Sequence, residues 1–228
     1  MKSNKKTARI AGLIYLILII AGVFANLVVR SSLIVPGDAA ATANNIMASE
    51  WLFRLAYMSD LIMITCMVLL PLVLYVLLKP VNKNIALLMM IFALVSVPIM
   101  YTNMLNHFAP LLLLGGADYL TIFGADQLNA QAMLFLNLHE AGYNVIFFGL
   151  WLLPLGYLVY KSGYFPRILG VLVVIAGFSS MIDVCTFFLF PSYTEIISSV
   201  FMVPSAIGEF ALCGWLLIKG AKIPEIKS

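Results

Sequence analysis

Charge is scarce in this chain. Of its 228 residues only 10% are Asp, Glu, Lys or Arg, and it holds two histidines and three cysteines. Soluble globular domains carry roughly 25% charged residues, so a water-soluble protein is excluded, as are disorder and a coiled coil. Three cysteines are too few for a disulfide-stapled secreted domain, and all three fall inside apolar runs, where they are read as packing residues. A net charge of +3 is too small to suggest a nucleic-acid partner. No Gly-rich phosphate loop, internal repeat, low-complexity stretch or linker is present, and no Lys lies inside an apolar run to form a retinal Schiff base.

What the chain does have is apolar length: 63% of residues are hydrophobic and the mean hydropathy is +1.06. Crossing roughly 30 Å of hydrocarbon at about 1.5 Å per residue takes about 20 residues of helix. Six stretches qualify: Ile10–Val29, Trp51–Leu78, Ile85–His107, Phe135–Tyr160, Ile168–Phe190 and Ile196–Ile218. The expected fold is an all-α bundle of six transmembrane helices forming a single domain over 1–228, with local kinks at Pro71, Pro98, Pro154 and Pro204. The first stretch resembles a signal peptide, with Val23-Phe24-Ala25 as a cleavage-like site. Its apolar length is that of a spanning helix, so an uncleaved first span is expected.

Orientation follows from the basic residues. With a cytoplasmic N-terminus, Lys2, Lys5, Lys6, Arg9, Lys79, Lys83, Lys161, Arg167, Lys219, Lys222 and Lys227 fall inside, and Arg30 and Arg54 fall outside. That is 11 against 2, which predicts both termini in the cytoplasm. The inner loops are minimal. Two outer connections, Ser31–Glu50 and Phe108–Leu134, are long and expected to be structured. Asp38 should cap a short outer helix, and Leu111-Leu-Leu-Leu-Gly-Gly is apolar enough to form a lid or dip into the interface.

Several stretches carry a resemblance: Arg30-Ser-Ser-Leu-Ile-Val-Pro-Gly-Asp-Ala-Ala-Ala-Thr-Ala, Ser49-Glu-Trp-Leu-Phe-Arg-Leu, Leu78-Lys-Pro-Val-Asn-Lys-Asn, Gly116-Ala-Asp-Tyr-Leu, Leu138-His-Glu-Ala-Gly-Tyr and Lys161-Ser-Gly-Tyr-Phe-Pro-Arg-Ile-Leu-Gly. Over nearly its whole length the chain resembles the integral membrane family known as domain of unknown function 4386. The resemblance implies a multi-pass protein of the bacterial or archaeal cytoplasmic membrane with this layout; it carries over no activity to this chain.

Function must therefore be sought in the polar residues of the spans, which are costly in hydrocarbon unless they face a partner or a cavity. Measured from the inner helix ends, Asp60, Asn103, Asp183 and Asn144 lie about 24–28 Å up, and Glu140, His107 and His139 about 32–33 Å. Four helices thus bring polar groups to the outer quarter of the membrane. Asn103 and His107 share one face, as do Asn137, Glu140 and Asn144. This arrangement reads either as a polar pocket opening outward or as scattered interfacial residues. Arg54 is expected to pair with Asp60 or Glu140, or to hold an anionic group. Glu209 lies about 15 Å up, near the midplane, with Ser198 and Ser205 on its stripe and Tyr15 and Asn26 as prospective neighbours.

The ligand-binding residues on this reading are Arg54, Asp60, Asn103, His107, Asn137, His139, Glu140, Asn144, Asp183 and Glu209. The preferred function is binding, or binding and transport, of a small or lipid-like ligand, with cationic or zwitterionic character favoured by the acid-rich outer half. No cofactor is required. The alternatives stay open: His107 and His139 as zinc ligands of an intramembrane hydrolase acting on a lipid-like substrate, the same histidines as axial haem ligands, or a structural or immunity-type membrane partner. No His-Glu-x-x-His spacing supports the zinc reading.

Overall fold

A computed structural model describes residues 2–143 and 146–222. Among the described residues the chain is helical with no strand. Helix α1 (Lys2–Val23) continues through a π-helical segment (Phe24–Arg30) into α2 (Ser31–Leu33), followed by α3 (Ala39–Ala48), α4 (Glu50–Leu78), α5 (Lys83–Leu114), α6 (Ala125–Tyr143), α7 (Ile146–Leu150), α8 (Leu152–Ser162), α9 (Arg167–Leu189) and α10 (Thr194–Ile218). Among the described residues six segments are long and apolar enough to span a membrane: Lys5–Leu33, Glu50–Leu78, Lys83–Leu114, Ala125–Ser162, Arg167–Leu189 and Pro191–Ile218. The expected class, a polytopic membrane bundle, is the observed one.

The first span shows how such a helix sorts its faces. Ala8, Ala11, Tyr15, Leu18, Ala21, Ala25 and Val29 are buried, while Ile10, Leu13, Ile17, Ile20 and Leu27 are exposed. The large aliphatic side chains point away from the protein, which is the pattern suited to a lipid surround. Pro71, Pro98 and Pro204 lie within unbroken helices. So does Pro110, which carries α5 well beyond His107 to Leu114. The four leucines expected in a lid are therefore the last turn of a helix, and the connection before α6 shrinks to residues 115–124. The fourth span, read as starting at Phe135, starts at Ala125; its described residues lie in α6, α7 and α8, with a turn at Trp151 separating the last two.

The chain forms two compact units. One comprises residues 1–16, 66–97 and 144–228; the other comprises 17–65 and 98–143. In the first, α9 packs against α8 and α10 at backbone distance. A Cβ added to Gly156 would lie 2.8 Å from the Gly170 carbonyl oxygen, one added to Gly170 would lie 2.6 Å from Tyr160 N, and one added to Gly208 would lie 2.6 Å from the Leu172 carbonyl oxygen. Small residues at helix interfaces are the usual means of close approach in membranes, where burying apolar surface from lipid gains little. Cys66 and Cys213 are buried as expected of packing residues, whereas Cys185 is exposed; all three are free thiols.

In the second unit, α3 is held against the segment before it and against α6. The Asp38 carboxylate caps α3 by accepting from Ala41 N at 2.8 Å. Thr42 Oγ1 accepts from Val35 N and donates to Val35 O, and Asn45 Nδ2 donates to Leu33 O. Ala25, Val29, Leu33, Ile46, Phe53, Ala56, Leu111 and Leu136 form the apolar core of this unit. These contacts place the end of the first span beside α4, α5 and α6, where the buried polar residues lie.

Candidate functional site

Asp60 on α4 is the centre of the second unit. Its side chain is fully buried, and a carboxylate in that position needs compensating charge or hydrogen bonds. Arg30, at the end of the π-helical segment, supplies them: Nη1 donates to Asp60 Oδ2 at 2.5 Å. His107 Nδ1 on α5 is 3.3 Å from the same oxygen, and His139 Nε2 on α6 is 3.9 Å from it. Both histidines are buried, and their rings meet edge to face with centroids 4.8 Å apart. Phe53 and Tyr57 enclose His107 from α4, at ring-centroid distances of 4.5 and 5.6 Å.

The proton on His139 can be assigned from its neighbour. Nδ1 is 3.2 Å from the Asn103 carbonyl oxygen, which can only accept, so Nδ1 carries a proton, and in the neutral ring Nε2 presents a lone pair. Asn103 closes the reciprocal contact, its Nδ2 donating to the His139 carbonyl at 2.7 Å, and its Oδ1 accepts from Asn106 Nδ2. A metal-binding histidine characteristically donates its remote N–H to a carbonyl or carboxylate in this manner. The ligand atoms of Asp60, His107 and His139 lie within 4.8 Å of one another, so this buried trio could hold a metal ion. Rings already in edge contact leave no space for a macrocycle between them, which turns the geometry away from haem ligated on both faces.

Beside the trio is a cavity of about 350 Å³. It is lined by the buried Arg30 and His139, by the polar Asn26, Ser31, Asn137 and Glu140, and by the apolar Ile34, Pro36 and Leu136. His139 and Glu140 diverge, as adjacent helical residues must: the first is buried against Asp60, and the second is exposed along the cavity.

Several sequence expectations change here. Arg54 pairs with neither Asp60 nor Glu140. It forms an i,i+4 bridge with Glu50 at 2.6 Å, both side chains more than 40% exposed, because α4 starts at Glu50 and turns Arg54 outward. Arg30 takes the role expected of Arg54. Asp183 and Glu209 belong to the other unit and have partners there. Asp183 accepts from Ser198, and Glu209 Oε2 accepts from the buried Tyr15 hydroxyl at 2.8 Å. Ser205 bonds to Ser180, and Asn26 is found lining the cavity. Asn144 and Lys227 lie outside the described residues. Asp60, Asn103, His107 and His139 are brought into one network, with Asn137 and Glu140 on the adjoining wall.

Comparison with known proteins adds relatives but no chemistry. The family model described as Domain of unknown function (DUF4386) matches residues 10–220. An uncharacterized protein of Archaeoglobus fulgidus is 36% identical over 155 residues, covering 68% of this chain and 77% of that protein. No solved structure matches significantly.

Proposed function

This chain belongs to the DUF4386 family, and on that footing we propose that it is a membrane protein that binds a small or lipid-like ligand in the cavity beside Arg30. The observation carrying this reading is the wall itself, which combines charged and amide residues with apolar ones. Ligand sites are built this way, a few placed polar groups orienting a molecule whose remainder rests on apolar surface. Arg30, Asp60 and Glu140 together give a net negative charge, which suits a cationic or zwitterionic head group. With the basic residues of the termini inside, the cavity opens toward the outer face.

Short-chain phosphatidylcholine and phosphatidylglycerol, added separately to detergent-purified protein, test this. The zwitterionic lipid should raise the unfolding temperature, and Glu140→Gln should reduce its apparent affinity by about tenfold, the weight of one charge-assisted contact. Equal responses in wild type and Glu140→Gln, or no response in either, would count against the reading.

The buried Asp–His–His trio favours a second reading, metal-dependent hydrolysis of a lipid-like substrate. A bound zinc ion would supply Lewis acidity and an acidified water. His139, oriented by Asn103, would keep its lone pair on the ion, and the adjoining cavity would receive the head group. Zinc retained through purification by wild type and lost on His107→Ala with His139→Ala would support it.

A further inference from the structure

Asp60 Oδ2 is the carboxylate oxygen close to both imidazoles, and it is the oxygen that Arg30 holds. We infer that Arg30 is the built-in occupant of a divalent-metal site formed by Asp60, His107 and His139, and that it yields Asp60 Oδ2 when such an ion binds. This rests on the metal reading above and adds to it a competition inside the protein.

The chemistry of the donors requires a cation at this point. His139 Nε2 presents a lone pair toward a carboxylate oxygen 3.9 Å away, so two acceptors face one another in a buried setting. Such a pair is stable only beside positive charge, which the guanidinium provides. A divalent ion would provide it equally well. Zinc bonds of roughly 2.0–2.2 Å place tetrahedral ligands about 3.3–3.6 Å apart, close to the 3.3 and 3.9 Å already found. Two cations on one oxygen repel strongly in this buried setting, and arginine does not lose its proton to relieve it. Arg30 has somewhere to go. Asp60 Oδ1 has no hydrogen-bond partner among the described residues, and Arg30 already lines the cavity. The exchange keeps the carboxylate compensated in both states, so the trio need not be left bare in the membrane.

Zinc and cobalt titrations of the full chain in detergent test the exchange. Arg30→Met should bind either ion at least about tenfold more tightly than wild type, Arg30→Lys should remain near wild type because it keeps the charge, and Asp60→Asn should abolish binding. Metal binding in wild type with no gain in Arg30→Met would overturn the exchange while leaving the metal reading intact. No binding above the Asp60→Asn control in any variant would overturn both. Should Arg30→Met fail to fold, wild type gives the answer through phenylglyoxal labelling of Arg30 read by peptide mass spectrometry. Labelling should rise several-fold with zinc; labelling indifferent to bound zinc would overturn the proposal.

Discussion

The two units solve the same problem by opposite means. In the unit containing α8, α9 and α10, helices meet where side chains are missing, with Gly156 against Gly170 and Gly208 against the Leu172 carbonyl. In the unit containing the Arg30–Asp60 pair, cohesion includes side chains that are costly in a membrane, and a cavity remains beside them. Lipid offers helices no hydrophobic reason to associate, leaving close packing and polar bonding as the available forces. Close packing brings backbones together and leaves beside the contact an apolar recess of about 260 Å³ along Gly156, Gly170 and Val174. Polar bonding also leaves room, and it supplies groups that can change partners.

Substitutions can break or sharpen this contrast. The largest effect is expected from Asp60→Ala, which removes the carboxylate that Arg30 holds and should destabilise the protein by about 3–5 kcal/mol, as removal of one member of a buried pair does. Thermal unfolding in detergent reads this loss, and Arg30→Met combined with Asp60→Leu should recover most of it. Recovery would show that the pair is dispensable for folding and available for function. Next is Gly170→Ala, whose Cβ would fall 2.6 Å from Tyr160 N, a backbone atom that cannot rotate away. A loss of about 1–3 kcal/mol is expected, with the response to added zwitterionic lipid unchanged. An equal loss of lipid response would show that the units are not functionally separable. Arg54→Ala marks the lower end. An exposed i,i+4 bridge contributes about 0.3–0.5 kcal/mol, so its unfolding temperature should hardly move.

Much of this was legible in the sequence, for reasons that also explain what was not. Hydropathy over about 20 residues reports a span because every backbone group in lipid must be bonded within a helix. Depth counted along the helices placed Asp60, Asn103, His107 and His139 at similar heights, and a common height is a precondition for contact. Helix ends were less legible: Pro110 and the polar stretch from Asp126 to Asn129 look like loop, yet both are helical. Membrane helices accept internal proline when neighbouring groups satisfy the freed carbonyl. Arg30 was missed as a site residue because a basic residue at the edge of an apolar run reads as a topology marker. Its burial depends on the helix continuing through it with a widened turn, which composition does not reveal. Arg54 was overvalued for the converse reason, since the facing of a helix cannot be known before its neighbours are placed.

The widened turn itself has a consequence for how this span can change over generations. A π-helical turn closes its hydrogen bonds from i to i+5, taking in one residue more than the α-helical i to i+4. The first span runs 29 residues from Lys5 to Leu33, beyond the roughly 20 that a bilayer demands. Losing one residue between Phe24 and Val29 would therefore leave a helix still long enough to cross, and a more regular one. What it would alter is the direction in which Arg30 points. Crossing the membrane and aiming the arginine are thus inherited separately along one helix, the first through its length and the second through a single surplus residue.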